Sequence, residues 1–315
     1  MRMLASSAKN RALRAIALSS IGAIALPFAA GAPEGAFSFR EINPASLEIL
    51  DGGRPVLVYN FGGILAPGFP EGMRRASYIH PVFAPDGALL TDDFNPNHPH
   101  HRGISWMWPE VTVNGKREEM WSVSEKSFKQ RFVRWIERTA QADSAILGVE
   151  NGWFDGDRKF AKEEVEIVVG IVKANRRTLD FTLRFEALDA PVKIMGTHTE
   201  NKGYGGFCLK FAPRDGGAAK TVIRTDQGIA QKDGVLSPHP WAEISGSFQG
   251  HLAGARIEDN PSNPGFPNNG WLMRHTLGFL NPSYPGLTPL ALEPGKPLVL
   301  KYRVILFSGM PTAGD

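Results

Sequence analysis

Hydrophobic and polar residues alternate along much of the chain after residue 45. The clearest run is Arg177–Glu186, and similar alternation covers residues 164–173 and 298–306. In the first run four apolar residues share one face: Leu179, Phe181, Leu183 and Phe185. A period of two places successive side chains on opposite faces of an extended backbone, so these segments are predicted to be strands with one buried face.

Turn-forming pairs such as Asp86-Gly87 and Asn114-Gly115 separate further short apolar runs. The segment Lys126–Arg138 fits either a strand or one short helix, and no other stretch has a clear helical stripe. Many strands and few helices predict an all-β protein, a large antiparallel β-sandwich with few short helices. Since no Pro/Ser/Gly-rich linker interrupts the middle of the chain, residues 33–315 are predicted to form a single domain.

The N-terminus differs in composition from the rest of the 315-residue chain. Residues 1–32 have no acidic residue and four basic ones, Arg2, Lys9, Arg11 and Arg14, followed by an apolar run that ends in Ala30-Gly31-Ala32. This pattern predicts a secretory signal peptide over residues 1–32 and a periplasmic or secreted bacterial protein. An uncleaved anchor is the alternative, but the run is shorter than the roughly 20 apolar residues of a spanning helix.

Charge and cysteine content exclude several classes. Removal of residues 1–32 changes the formal charge from +3 to +3 − 4 = −1, so no global charge favours nucleic acid or an anionic membrane. The single cysteine, Cys208, excludes an intramolecular disulfide framework and a thiolate-rich metal site. It lies within a predicted strand, where packing is the expected role.

The segment Phe94–Gly103 contains three of the eight histidines: His98, His100 and His101. In an extended segment His98 and His100 share one face, and such a pair can bind a metal. Alternatively, one histidine such as His101 performs acid–base chemistry while Arg102 holds an anionic substrate. A third interpretation is a stiff loop whose polar groups satisfy its own backbone.

A second polar segment, Gly196–Gly206, follows a predicted strand. His198 and Glu200 alternate onto one face, which suits a base with its orienting carboxylate or two metal ligands. Its glycines are expected to form turns.

A third polar segment, Ile257–Pro267, places Glu258 and Asp259 at the end of an apolar strand. Asp259 or Glu258 is a candidate partner of a histidine in acid–base chemistry. The alternative is that these carboxylates cap Asn-Pro turns.

Three tryptophans lie beside the polar segments: Trp106, Trp108 and Trp271. Flat aromatic faces can stack on sugars, while Asn97, Arg102 and Arg274 can take hydroxyls or carboxylates. Buried tryptophans are more often core residues, which is the competing interpretation.

Together, these motifs resemble a family of secreted bacterial proteins known as PmoA-like, most of unknown function. The similarity rests on His98–Gly103 with Trp106, on Lys202–Gly206, and on Asp259–Pro264 with Trp271 and Arg274. It covers most of residues 50–307 and implies a sugar or glycan substrate. The methane-oxygenase label is a misnomer here, because the body of the chain has no membrane spans.

More remotely, the chain is similar to galactose mutarotase-like proteins, whose fold is a supersandwich. Asn97–His101 and the stretch from Glu258-Asp259 to Phe266-Pro267 echo two of their elements in the same order. That resemblance implies His101 or His98 as acid, His198 as a second imidazole and Asp259 as base. The His-Pro-His-His run and Arg102 depart from it and favour an anionic substrate or a bound metal over simple anomer exchange.

We therefore expect a periplasmic carbohydrate-active enzyme, a hydrolase or lyase that cleaves or rearranges a glycoside. The catalytic candidates are His101, His198 and Asp259, and the substrate-binding candidates are Asn97, Arg102, Trp106, Trp108, Trp271 and Arg274. One alternative is a non-catalytic glycan-binding or sugar-isomerising protein. Another is a metal-binding protein that uses His98 and His100; a divalent metal is the one cofactor left open. The expected partner is an oligosaccharide or polysaccharide fragment, and not nucleic acid or a membrane.

Overall fold

A computed structural model describes residues 36–267 and 270–310. The predicted signal peptide, residues 1–32, lies outside the described residues. Across those two ranges, the longest helices are single 3-10 turns, and none is long and apolar enough to cross a membrane.

Strands make up most of the described chain. In the first half they are β1 (Phe37–Asn43), β2 (Ser46–Asp51), β3 (Arg54–Asn60), β4 (Tyr78–Val82), β5 (Ile104–Met107), β6 (Glu110–Val113), β7 (Lys116–Glu118), β8 (Lys129–Ala140), β9 (Ser144–Asp155), β10 (Arg158–Gly170) and β11 (Arg176–Ala187). In the second half they are β12 (Val192–Met195), β13 (Gly206–Lys210), β14 (Val222–Thr225), β15 (Gly228–Ile229), β16 (Gly234–Pro238), β17 (Trp241–Phe248), β18 (His251–Asp259), β19 (Gly270–Arg274), β20 (Phe279–Ser283), β21 (Leu290–Leu292) and β22 (Leu298–Ser308). Short 3-10 helices occupy Glu71–Met73, Thr199–Asn201 and Gly217–Lys220.

Two large sheets contain most of these strands. The first sheet has the order β1-β2-β3-β4-β5-β13-β20-β19-β16, and the second has the order β15-β14-β17-β18-β22-β11-β10-β9-β8. Neighbouring strands in both pair antiparallel. A smaller sheet has the order β21-β12-β6-β7. The predicted all-β, antiparallel architecture with few short helices is confirmed.

The core lies between the two large sheets. Strand β11 alternates buried and half-buried residues along its whole length, as its sequence predicts. Phe181 of β11 packs 6.4 Å from Trp106 of the first sheet, and Phe207 of the first sheet stacks at 4.5 Å on Tyr302 of β22. Each such ring contributes a few kcal/mol of hydrophobic burial, on the order of 25 cal/mol per Å². The ambiguous segment 126–138 is a strand from Lys129 onward, within β8.

The histidine segment is fixed to the first sheet by backbone hydrogen bonds to β13. The backbone N–H of Lys210 donates to the carbonyl of Gly103 (2.8 Å), and the N–H of Asp92 donates to the carbonyl of Lys210 (3.1 Å). Gly103 has φ +43°, and a Cβ there would lie 1.9 Å from the carbonyl oxygen of Ile79. Only glycine lets the segment approach the sheet this closely.

Candidate functional site

The three histidines of residues 98–101 form one ring cluster. The chain turns here, because the N–H of His101 donates to the carbonyl of His98 (3.1 Å). The His101 ring lies 4.2 Å from that of His100 and 5.4 Å from that of His98, and it stacks on Phe279 at 4.4 Å. An extended segment, in which His101 would face away from His98 and His100, is therefore not what the structure shows. A turn brings the three rings together.

The environment keeps these imidazoles neutral at neutral pH. Burial, with a smaller effect from the charge of Lys210, lowers the pKa of His98. Burial and the charge of Arg75 lower the pKa of His100 to about 4. Burial also lowers the pKa of His101 well below its ordinary value. The Nδ1 atoms of His98 and His101 are buried and have no hydrogen-bond partner among the described residues.

A cleft of about 420 Å³ opens beside His98. We call it the histidine cleft, and the lining residues used below are Asn97, His98, Lys210, Arg214, Asp233 and Arg274. Its volume lies within the range of small-molecule sites and accommodates one or two sugar rings. Three of the residues predicted from the sequence, Asn97, His98 and Arg274, therefore meet in one place.

Positive charge predominates in the histidine cleft. Arg214 is buried and donates to a hydroxyl and to backbone carbonyls, including that of His275 at 2.7 Å. Lys210 donates to the carbonyl of Leu277 (2.7 Å) and pairs with Asp92 at 3.2 Å. Asp92 offsets part of the charge of Lys210, whereas the carbonyl partners of Arg214 satisfy its donors without neutralising its charge. The cleft therefore offers a favourable field to an anion.

Arg274 is the more accessible cation of the cleft. Its Nη1 lies 3.5 Å from Oδ2 of Asp233, and 23% of its side chain is exposed. Burial alone would raise the pKa of Asp233, but hydrogen bonds from His275 and the charge of Arg274 lower it below its ordinary value. Asp233 is thus an ionised carboxylate that orients Arg274 at the cleft.

A buried cation lies behind the histidines. Arg75 is 5% exposed and donates from Nη1 to the carbonyl of His100 (2.9 Å). Its Nε and Nη2 have no hydrogen-bond partner within the described parts of the chain. Burial lowers its pKa to about 10, so it remains charged at neutral pH. This charge disfavours protonation of His100 and His101.

Arg102, predicted to bind substrate, anchors the histidine segment instead. It is 1% exposed, its Nε lies 3.1 Å from Asp93, and its Nη2 donates to the carbonyl of Met73 (2.8 Å). Its guanidinium lies 3.5 Å from the centre of the Phe94 ring. A side chain so enclosed has no surface for a substrate, so the substrate-binding role is corrected to a structural one.

The three predicted stacking residues, Trp106, Trp108 and Trp271, are fully buried. The indole N–H of Trp106 donates to Glu163 (2.9 Å). That of Trp108 donates to the carbonyl of Tyr284 (2.7 Å), and that of Trp271 donates to the carbonyl of His239 (2.6 Å). No ring face is open to a sugar among these three, so they are core residues. Trp121, which the sequence does not single out, is the indole beside the cluster, 5.7 Å from His101.

His198 lies at the surface and outside the histidine cleft. Its side chain is 59% exposed, and its Nδ1 lies 2.7 Å from Oε1 of Glu110. The predicted orienting carboxylate, Glu200, pairs with Lys202 at 2.7 Å instead. The hydrogen bond and charge of Lys202, with a smaller effect from Arg274, lower the pKa of Glu200. His198 thus has an orienting carboxylate, but from β6 and not from its own segment.

Asp259 lies in the second sheet, at the end of β18, whereas the histidine segment lies on the first sheet. It is buried, and its Oδ1 accepts from Nδ2 of Asn263 at 2.6 Å. It lines a different cleft, beside Tyr302 and Arg303. The predicted pairing of Asp259 with His98 or His101 is corrected, and its contact with Asn263 fits the alternative role of a turn carboxylate.

The described residues do not fit the predicted metal site. The rings of His98 and His100 lie 6.0 Å apart. No group of three or more His, Cys, Asp or Glu side chains within residues 36–267 and 270–310 is placed to hold a metal ion. Protein zinc sites use three or four such ligands.

The sequence prediction missed five residues around the site: Arg75, Trp121, Lys210, Arg214 and Asp233. Lys210 carries a signal, since it is a charged residue that ends the apolar strand Gly206–Lys210. The other four have no local pattern that separates them from ordinary surface or core residues.

Comparison with known proteins gives one family. The model of the family of unknown function DUF6807 matches residues 46–315. No curated protein matches the chain.

Three solved structures share a distant likeness. A galactose mutarotase related enzyme from Lactobacillus acidophilus has 11% identity and a TM-score of 0.38, with 88% of this chain and 98% of that chain covered. A GalM/aldose epimerase homologue from C. elegans has 9% identity and a TM-score of 0.36, with 88% and 100% covered. The heparan sulfate lyase HepC from Pedobacter heparinus has 8% identity and a TM-score of 0.38, with 85% and 34% covered.

Proposed function

We propose that this chain, which belongs to the DUF6807 family of unknown function, is a carbohydrate-active enzyme acting on a carboxylated saccharide. In this proposal the histidine cleft binds the saccharide, and His98 removes a proton from the carbon next to the carboxylate. The observation that carries it is the meeting of a neutral imidazole and several cations in one cleft of about 420 Å³.

The cations support the choice of an anionic substrate. Arg274 is accessible and oriented by Asp233, while the buried residues Lys210 and Arg214 line the same cleft and add positive charge. A carboxylate beside Arg274 would gain a charge-assisted hydrogen bond. Asn97 lines the same cleft and offers an amide that suits sugar hydroxyls.

The imidazole supports proton abstraction. His98 is neutral at neutral pH because burial and Lys210 lower its pKa, so its ring can accept a proton. The C–H bond next to the carboxylate breaks, its proton moves to His98, and the electron pair delocalises onto the carboxylate. Cations at that carboxylate stabilise the added negative charge. If the neighbouring C–O bond then breaks, a C=C bond forms and the leaving oxygen takes a proton from protonated His98 or from water. If a water molecule instead delivers a proton to the opposite face of that carbon, the sugar is epimerised, and His98 returns its own proton to solvent.

Hydrolysis is the less favoured route. Most glycoside hydrolases use two carboxyl groups that flank the scissile bond. Among the described residues that line the histidine cleft, Asp233 supplies the carboxylate, and it is held by Arg274 and His275. Asp259 lines another cleft.

The proposal is tested by product analysis. Purified protein is incubated with acidic and neutral oligosaccharides, and products are measured by mass and by the ultraviolet absorbance of new C=C bonds. We expect products from an acidic substrate without a gain of water, and a loss of at least about 100-fold in rate for His98→Gln, in line with the usual contribution of a general base. His251→Gln is the matched control, because His251 is exposed and pairs with Asp86 on a distant loop.

Two results would contradict the proposal. Turnover of neutral substrates alone would exclude the anionic class. Wild-type binding of an acidic oligosaccharide without any turnover would leave a glycan-binding protein, the main alternative from the sequence.

Export is a separate proposal that rests on residues 1–32. The four basic residues and the apolar run that follows are typical of a secretory signal peptide. N-terminal sequencing of the protein from a periplasmic or culture fraction is expected to begin near residue 33. Recovery of the full N-terminus from the cytoplasm would contradict it.

A further inference from the structure

A second cleft, of about 560 Å³, opens at the β8 edge of the sandwich. We call it the aromatic cleft, and the lining residues that matter here are Phe61, Arg74, Glu125, Lys129, Gln130 and Phe132. It shares no lining residue with the histidine cleft. Its volume accommodates one or two pyranose rings.

Two irregularities in β8 build its wall. Against β9, β8 carries an extra residue between Phe132 and Arg134 and another between Trp135 and Glu137. In a regular strand Phe132 and Trp135 would point to opposite faces, but the first bulge brings them to the same face. Their ring centroids lie 4.7 Å apart, and both pack on Phe61, at 5.2 Å and 5.0 Å. All three rings are only partly buried, so the edge of the core presents aromatic surface to the cleft.

An unpaired acceptor adjoins this wall. Gln130 is 6% exposed and its Nε2 donates to Oε2 of Glu163 at 2.6 Å, deep in the core. Its Oε1 is buried and accepts no hydrogen bond from the described residues. An amide oxygen left without a donor costs about 1–3 kcal/mol, which a ligand hydroxyl would recover.

Charges around the aromatic cleft nearly balance. Arg74 pairs with Glu71, and Arg131, which also lines the cleft, pairs with Asp157 at 3.3 Å. Lys129 donates to the carbonyls of Gly72 and Ser124 close to Glu125. Such mixed donors and acceptors suit hydroxyl groups, which both donate and accept. The contrast with the cationic histidine cleft indicates an uncharged ligand.

One extended segment contacts both the aromatic cleft and the histidine cluster. Arg74 has φ −60° and ψ 124°, so successive side chains there point in opposite directions. Arg74 lines the aromatic cleft, and Arg75 donates to the carbonyl of His100 behind the histidine cluster.

We propose that the aromatic cleft binds an uncharged pyranose ring of a glycan. The C–H face of the ring lies on Phe132 and Phe61, and a hydroxyl donates to Oε1 of Gln130. This binding site does not depend on the proposed proton abstraction, and the two proposals are tested separately.

The test is calorimetric titration of the full chain with cellohexaose, xylohexaose and mannohexaose. We expect at least one to bind, and Phe132→Leu to weaken binding about 5- to 10-fold, because leucine keeps apolar bulk but lacks a flat face. Phe266→Leu is the matched control, since Phe266 lies in the turn that follows β18 and does not line the cleft. His98→Gln is expected to leave this binding unchanged.

Several outcomes would overturn the proposal. They are the absence of binding for all three neutral hexasaccharides, equal affinity of Phe132→Leu and wild type, and loss of binding in His98→Gln with retention in Phe132→Leu. The last would place neutral glycans in the histidine cleft. Failure of turnover on acidic substrates would bear on the proposed enzyme activity and leave this site unaffected.

Discussion

At the scale of single residues, Arg102 anchors the histidine segment of the candidate site. Its charge is enclosed with Asp93, and burial raises the pKa of that carboxyl while the guanidinium opposes the rise. Removal of one partner from a buried ion pair typically costs about 3–5 kcal/mol, because the other charge stays buried.

We therefore expect Arg102→Met to lower the free energy of unfolding by about 3–5 kcal/mol. Urea denaturation measures it, with Arg274→Met as the matched control at a partly exposed arginine. An unchanged urea midpoint together with loss of saccharide binding would return Arg102 to its predicted substrate role.

The histidine cluster makes stability depend on pH. The pKa of His100 is about 4 in the folded chain and near 6.5 in the unfolded chain, so the unfolded chain binds the proton more readily between those values. The stability that neutral His100 contributes is present above pH 6.5 and is lost as the pH falls toward 4.

Between pH 7 and pH 5 we expect wild type to lose on the order of 1–2 kcal/mol more unfolding free energy than His100→Gln. Urea denaturation at the two pH values provides the comparison. Equal losses in the two proteins would mean that His100 titrates normally in the folded state.

Residue types alone indicated that the histidines, Asn97 and Arg274 belong to a functional site, because these polar residues cluster beside the ends of apolar strands. They did not indicate which aromatic residues are exposed. Trp106 lies near the polar motif in sequence, but strand alternation turns its indole into the core toward Glu163. The side that a residue faces depends on register, and one residue of shift reverses it.

At the scale of elements, the segment 92–103 and the strand β18 decide which predicted residues meet. The first is pinned to β13, and the second carries Asp259 in the other sheet. Local sequence predicted the strands β13 and β18, but not the sheet to which each belongs, because sheet order comes from long-range packing.

Asp259→Asn tests this separation. Asparagine keeps an acceptor for Asn263, so we expect a loss of about 1 kcal/mol in stability and turnover within twofold of wild type. Asp233→Asn, in the histidine cleft, is the comparison variant, and it is expected to weaken binding of acidic saccharides. Loss of turnover in Asp259→Asn at an unchanged urea midpoint would restore the acid–base role predicted for Asp259.

At the scale of the whole molecule, a buried polar network joins the two sheets. Glu163 accepts hydrogen bonds from Trp106 (2.9 Å), Trp153 (2.7 Å), Gln130 (2.6 Å) and Asn151 (2.9 Å). Burial raises the pKa of Glu163, and these four donors oppose the rise. The alternation of β10 predicts which of its faces is buried. It does not predict that Glu163, on that face, accepts hydrogen bonds from four other residues.

We expect Glu163→Leu to lower the free energy of unfolding by more than about 4 kcal/mol, because it leaves four buried donors without an acceptor. The matched control is Glu164→Leu, the next residue of β10, whose side chain is 30% exposed on the opposite face. Urea denaturation and soluble yield compare them. A Glu163→Leu protein as stable as the control would show that the network contributes little.

In the proposed reaction, His98 removes a proton from the carbon next to a carboxylate. Deuterium exchange measures this directly: the protein is incubated with acidic oligosaccharides in D₂O, and products and recovered substrate are examined by mass spectrometry and NMR. We predict loss of that hydrogen to solvent, either with a new C=C bond or with replacement by deuterium, and its absence in His98→Gln. Cleavage that adds water across the glycosidic bond while the hydrogen stays in place would contradict the account.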